Sequence, residues 1–176
     1  MTALQFELRE AVPADYPAIV AMTNSAYRSP AGQADWKVET LVDGTRIDES
    51  LLCDDLAQPG ARLLVWRDAA GEHIGHVRLD DLGAGSWYLA MLTVRPDRQD
   101  GGLGKTLLQA AEDFARARGA QRMRLTVVHQ RVELIAWYER CGYALTGDTE
   151  PFPYGDDRFG LPTRQDLYFD ILEKAL

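Results

Sequence analysis

The sequence predicts an α/β (α+β) fold, and three observations carry that expectation. Strand-like and helix-like patterns alternate along the chain. An apolar stretch, Ser86 to Val94, runs into a glycine loop and then into an amphipathic helix. No repeat, low-complexity tract or linker divides the 176 residues, a length that suits one domain with a real core.

Taken in order, Leu4 to Glu10 alternates apolar and polar residues at Leu4, Phe6 and Leu8, the period of a half-buried strand. Pro13 to Tyr27 reads as a helix with Asp15 in its first turn and Ile19, Met22 and Ala26 facing inward. Ser29 to Thr45 is a long connection carrying Pro30, Gly32, Trp36 and Gly44, and long loops in compact domains are often lids or binding loops. Asp48 caps a second helix that reaches Leu56 and stops before Pro59-Gly60. Ala61 to Trp66 and His73 to Leu82 form a hairpin across Asp68 to Gly71.

The strand Ser86 to Val94 ends at Arg95-Pro96-Asp97, because proline donates no hydrogen bond to a ladder. Its following helix places Leu103, Leu107, Ala110, Ala111 and Phe114 on one face. Beyond Gly119 come a strand, Arg122 to Val128, and a short helix, Val132 to Arg140, closed by Gly142. Tyr143 to Gly147 and Leu167 to Leu172 are the last two strands, with a proline- and glycine-rich loop from Pro151 to Pro162 between them.

Composition excludes several classes. Hydrophobic residues at 46% and charged ones at 26% describe an ordinary soluble globular protein. There is no apolar run of about 20 residues to span a membrane, and no basic-then-apolar leader opens the chain. Two cysteines, Cys53 and Cys141, fit a reducing cytoplasm better than a disulfide framework. The net charge of −8 disfavours nucleic acid and anionic membranes, and leans towards cationic small molecules.

The loop Gln99-Asp100-Gly101-Gly102-Leu103-Gly104 opens a helix, so several backbone N–H groups lack helical partners and point one way. With the helix dipole behind them they make an anion site suited to phosphate. Gly104-Lys105-Thr106 imitates the end of a P-loop, but Gln99 stands where that motif needs glycine. A dinucleotide fingerprint fails at Leu107, where its third glycine belongs. What remains, Gln99-x-x-Gly102-x-Gly104, resembles the acetyl-coenzyme A loop of the GNAT family of N-acetyltransferases. Leu134-Ile-Ala-Trp-Tyr138-Glu-Arg-Cys-Gly142-Tyr143 is similar to that family's closing helix, which has a tyrosine followed four residues later by glycine and an aromatic.

This resemblance covers Asp80 to Tyr143 closely and the ends by element order. It implies one N-acetyltransferase domain over 1–176, built on a single mixed, mostly antiparallel sheet of about seven strands, splayed at its centre, with helices on both faces. By resemblance, acetyl-CoA is the co-substrate, held by Leu92, Thr93, Val94, Gln99, Asp100, Gly101, Gly102, Leu103, Gly104, Lys105, Thr106, Arg131 and Tyr138, and no metal is needed. Backbone N–H groups of Leu92 to Val94 would meet the thioester oxygen, and Tyr138 the departing thiolate. Arg131 stands where the family commonly has asparagine.

No Asp or Glu lies within Ser86 to Val94, so the general base is open: His129, then His76 or Asp80, or a water chain. By analogy the acceptor amine, of a small molecule or a peptide, is expected near Tyr27, Trp36, Arg46, Phe152 and Tyr154. Cys141 reads as a packed thiol rather than a nucleophile. A homodimer is allowed but not required. The rival reading is a catalytically idle relative that binds an acyl-CoA as a sensor or interaction module.

Overall fold

A computed structural model describes residues 6–28 and 40–176. Its elements are β1 (Glu7–Glu10), α1 (Tyr16–Arg28), a two-residue β2 (Val42–Asp43), α2 (Glu49–Leu56), β3 (Ala61–Arg67), β4 (His73–Gly83) and β5 (Ser86–Val94). They continue with α3 (Leu103–Arg116), β6 (Arg122–Val128), α4 (Val132–Arg140), β7 (Ala144–Pro151), a two-residue β8 (Leu161–Pro162) and β9 (Tyr168–Ala175).

Seven strands form one mixed sheet in the order β1-β3-β4-β5-β6-β9-β7. Only β5 and β6 run parallel; the other neighbours are antiparallel. The expected element order is therefore present, with three refinements. Pro13–Asp15 is a 3-10 turn ahead of α1, and β7 runs to Pro151 rather than to Gly147. The third is β2 pairing with β8, a small ribbon that joins the two loops expected to hold the acceptor.

Local chemistry accounts for the ends. Asp48 caps α2 by accepting the Leu51 N–H at 2.8 Å. Asp15 is buried at the start of α1, where it accepts the Val12 N–H and pairs with Arg9 and Arg67. That contact stitches β1, β3 and α1 together, a tighter role than a first-turn dipole partner.

The sheet carries a core on each face. Leu107, Leu108, Ala111 and Ala115 of α3 pack with Trp66, Val77, Leu79 and Trp87 on one side. Ile19, Leu51 and Leu52 of α1 and α2 pack with Leu63, Val65 and Met91 on the other. Burying one such side chain is worth about 1.5–3 kcal/mol. One member of the α3 face was not expected: Glu112, only 1% exposed. Its carboxylate accepts the Tyr143 hydroxyl at 3.0 Å and the Lys174 ammonium at 2.7 Å, which satisfies the buried charge.

The splay sits at the sheet's centre. β5 pairs with β6 only at Ser86, Trp87 and Tyr88, and beyond Tyr88 the two strands part. On the other edge of β5, the register with β4 slips between His76 and Arg78, and Met91 takes φ +53. A bulge bends its strand and strengthens its twist, which turns the end of β5 away from β6. The gap so opened is where the site forms.

Candidate functional site

The glycine-loop side of the gap begins where β5 ends. Pro96–Gly101 makes a 3-10 turn, Gly102 takes the left-handed conformation (φ +72), and α3 starts at Leu103. Side chains rarely adopt that conformation, so glycine is what lets the chain turn there. The first N–H to find a helical partner is that of Thr106, bonded to the Gly102 carbonyl at 3.2 Å. The groups before it face a cavity of about 180 Å³ lined by Thr93, Val94, Gln99, Gly102, Gly104, Lys105 and Trp137. Gln99 donates from Nε2 to the Val94 carbonyl at 3.1 Å, tying the loop to the strand end. Its Oε1 is buried without a partner among the described residues. Gly101, Leu103 and Thr106 lie outside the cavity lining, and of Asp100 only the backbone of the turn is described.

A larger cavity, about 320 Å³, lies across the gap. Tyr27, Leu92, Arg131, Leu134 and Tyr138 line both, so the two meet at these side chains. Tyr138 is 7% exposed, its ring edge-on to Trp137 and Tyr143. Burial pushes its phenol well above the usual range and Tyr27 adds to that, while the Arg131 charge opposes. Tyr138 is therefore a protonated donor at neutral pH. Arg131 occupies the cap position of α4, and Tyr27 reaches the Leu92 carbonyl with its hydroxyl at 3.4 Å.

The larger cavity is floored by Tyr88, Thr126 and Val128, with Phe152, Phe159 and Phe169 on its apolar side. The Tyr88 hydroxyl bonds Thr126 at 2.7 Å. Arg46 and Glu150 also line it, Arg46 with its guanidinium 5.6 Å from the Tyr27 ring centre. The structure thus brings Tyr27, Arg46 and Phe152 together as expected.

Tyr154 is not with them. Its hydroxyl donates to the Arg164 carbonyl at 2.8 Å and accepts the Leu167 N–H at 2.9 Å, stapling its own loop. Trp36 lies outside the described residues. His129 lines neither cavity; it is 47% exposed, bonded to Asp170 at 2.6 Å and stacked on Tyr168. His76 is wholly buried, and Asp80 pairs with Arg78. Cys141 packs partly buried against the core with its thiol pushed up by burial, so it stays protonated.

Sequence reasoning missed Glu150, Tyr88 and Trp137. Glu150 lies beyond Gly147, where the sequence signals a strand end; a bulge between Leu145 and Thr149 carries β7 onward to it instead. Tyr88 and Trp137 sat inside apolar runs, where no periodicity marks which aromatic borders a cavity.

A splayed mixed sheet, a helix start with N–H groups turned to a cavity and a protonated tyrosine between two cavities are the features an acyl-coenzyme A-dependent transferase needs. Residues 24–143 match the Acetyltransferase (GNAT) family, and the chain belongs to it. It is an N-acetyltransferase of that family, and membership implies acetyl-CoA as co-substrate.

Among similar proteins, an L-methionine sulfoximine/L-methionine sulfone acetyltransferase of Pseudomonas aeruginosa is 31% identical over 157 residues, covering 87% of each chain. An IAA acetyltransferase of Azospirillum brasilense is 35% identical over 109 residues, 60% of this chain and 68% of that one. Among solved structures, a putative phosphinothricin N-acetyltransferase superposes with TM-score 0.71 at 18% identity, covering 98% of this chain and 99% of the other. A spermidine N-acetyltransferase from Vibrio cholerae, in complex with CoA and spermine, gives 0.69 at 16% identity, covering 97% and 95%. At such identities these structures speak for the fold alone. No described helix is long and apolar enough to cross a membrane.

Proposed function

We propose that the chain moves an acetyl group from acetyl-CoA to a primary amine of a small molecule by direct attack. The observation that carries this reading is the meeting of two cavities at Tyr138 and Leu92, one backed by a helix N-terminus and the other lined by aromatics and charges. The smaller cavity takes the coenzyme arm. The N–H groups at the start of α3, with Lys105 beside them, receive the pyrophosphate, and Arg131 meets the arm in place of the family's asparagine.

The thioester then lies at the junction. Backbone N–H groups of the Leu92 to Val94 stretch, bent out by the bulge, hydrogen-bond the carbonyl oxygen as charge develops on it. The amine attacks from the larger cavity, the C–S bond breaks, and Tyr138 donates a hydrogen bond to the departing sulfur. A thiol titrates near 8.5, well below a buried phenol, so Tyr138 keeps its proton and water supplies the thiolate's. The ammonium proton must leave before attack. A route through His129 needs an intervening water chain, since that ring borders neither cavity. Direct attack is favoured over an acyl-enzyme because the Cys141 thiol is held protonated and outside both cavities.

The chain forms one domain, both helical layers packing on the same sheet, and its free Cys53 and Cys141 suit a reducing cytoplasm. Thiol release from acetyl-CoA, followed over a panel of amino acids, polyamines, arylalkylamines and aminoglycosides, tests the function. Release with at least one amine is expected. Tight coenzyme binding without release from any amine would favour an acyl-CoA sensor instead.

A further inference from the structure

Resting on that reading, we infer that the acceptor is a zwitterion: an amine that also carries a carboxylate or similar oxyanion, held between Glu150 and Arg46 of the larger cavity. The overall charge of −8 draws attention to cations, but the cavity itself is different. Its lining includes two guanidiniums, Arg46 and Arg131, and one carboxylate, Glu150. With Arg131 turned to the coenzyme arm, Arg46 and Glu150 are the pair of opposite charges that face the acceptor.

Three charge patterns for the acceptor are then separable. A polyamine carries only positive charges at neutral pH and would meet Arg46 unfavourably. A plain amine with an apolar body satisfies Glu150 and the phenylalanine wall, yet leaves Arg46 desolvated and facing no anion. An amine bearing an oxyanion satisfies both signs. Among the described residues, neither Arg46 nor Glu150 has an ion-pair partner.

Both groups are set in place by backbone. Arg46 is fixed by Asn24, whose Oδ1 accepts the Arg46 N–H at 2.7 Å, and its guanidinium lies by the Tyr27 ring that lines both cavities. Glu150 lies on β7, in register with Phe169 of β9. Arg46, Glu150, Tyr88 and Tyr138 all line this one cavity. Opposite charges thus flank the space beside the reacting centre. The ammonium end of a zwitterion meets Glu150, its oxyanion meets Arg46, and its apolar part lies along Phe152 and Phe169.

The test compares kcat/KM for three probes: an amino acid with free amino and carboxylate groups, the amine left when its carboxylate is removed, and spermidine. Calorimetry with acetyl-CoA and thermal melting are run beside it. A preference of about ten- to hundredfold for the amino acid over its decarboxylated amine is expected, the size of one charge-assisted bond. In Arg46→Ala that ratio should collapse towards one, and in Arg46→Glu it should invert in favour of spermidine, with coenzyme affinity and melting kept. Glu150→Gln should raise KM for the amino acid and its amine alike. Spermidine as the best wild-type acceptor, or a ratio that survives Arg46→Ala in a folded protein, overturns the inference while leaving acetyl transfer intact. Silence with every amine despite bound coenzyme overturns both.

Discussion

The His76 imidazole and the Thr23 hydroxyl lie 2.7 Å apart, with both side chains wholly out of solvent. The contact fastens β4 to α1 one turn before Tyr27, the residue that reaches the carbonyl of Leu92. On its other nitrogen His76 faces His73 at 3.2 Å. Burial holds His76 down to about 3, and the His73 charge pushes the same way. In the unfolded chain the same ring titrates near 6.5. A buried network with so little room for a proton ties stability to pH.

The sign follows from linkage: a depressed folded value stabilises above the unfolded pKa and is lost as pH falls towards the folded one. Between pH 7.5 and 5.5 His76 alone should cost the fold about 1.4 kcal/mol. His73, also lowered by burial, steepens the slope. Urea melts at the two pH values read it directly, and His76→Gln should flatten the difference. Equal wild-type stabilities at both pH values would contradict a neutral, buried His76.

Gly102→Asp is expected to abolish coenzyme binding. A Cβ there meets nothing within 4 Å beyond its chain neighbours, and aspartate is among the residues that tolerate a positive φ, so the fold should survive. What it meets is the phosphate site, with a negative charge. Calorimetry on the folded variant decides; unchanged affinity removes the loop from the site.

Tyr138→Phe keeps the ring against Trp137 and Tyr143 and removes only the donor. Turnover should drop by about ten- to a thousandfold, the range for lost acid or hydrogen-bond assistance, with coenzyme affinity little changed. Wild-type turnover in this variant would reduce Tyr138 to packing.

Much of this was legible because local chemistry left few alternatives. The Asp48 cap and the Pro96 strand stop follow from one or two residue types, and both stand in the structure. The α3 face keeps Leu107 and Ala111 but also buries Leu108, Glu112 and Ala115, and it leaves Leu103, Ala110 and Phe114 half-buried. Gly102 was legible from its place in the Gln99-x-x-Gly102-x-Gly104 pattern, and the structure gives it the left-handed conformation. The acceptor side was harder. Nothing local says that β9 inserts between β6 and β7, yet that pairing is what carries Glu150 and Phe169 side by side to the cavity. Tyr154 misled because its residue type fits a binding loop equally well as ligand or staple, and only its bonds to Arg164 and Leu167 distinguish the two.

Arg131 departs from its family's pattern, and Arg131→Ala should weaken acetyl-CoA binding by about ten- to hundredfold if its charge meets the coenzyme arm. Salt should erode the wild-type advantage as the Debye length shrinks from about 10 Å at 0.1 M to about 3 Å at 1 M. Arg131→Asn recovers part of the loss where the contact is a hydrogen bond and little where it is charge. Equal affinities for all three at low salt would take Arg131 out of coenzyme binding.

The placement of β9 bears on how the chain reaches this state. Residues 168–175 come after β6 and β7 in the chain but lie between them in the sheet. During synthesis, then, β6 and β7 emerge with no bond to one another and each with an unpaired edge until Tyr168–Ala175 leaves the ribosome. Non-local pairing of this kind slows folding, and open edges invite association with other chains. A nascent chain halted before Tyr168 would hold a complete phosphate loop but lack the strand that sets Glu150 against the acceptor cavity, and it would be a natural client for chaperones.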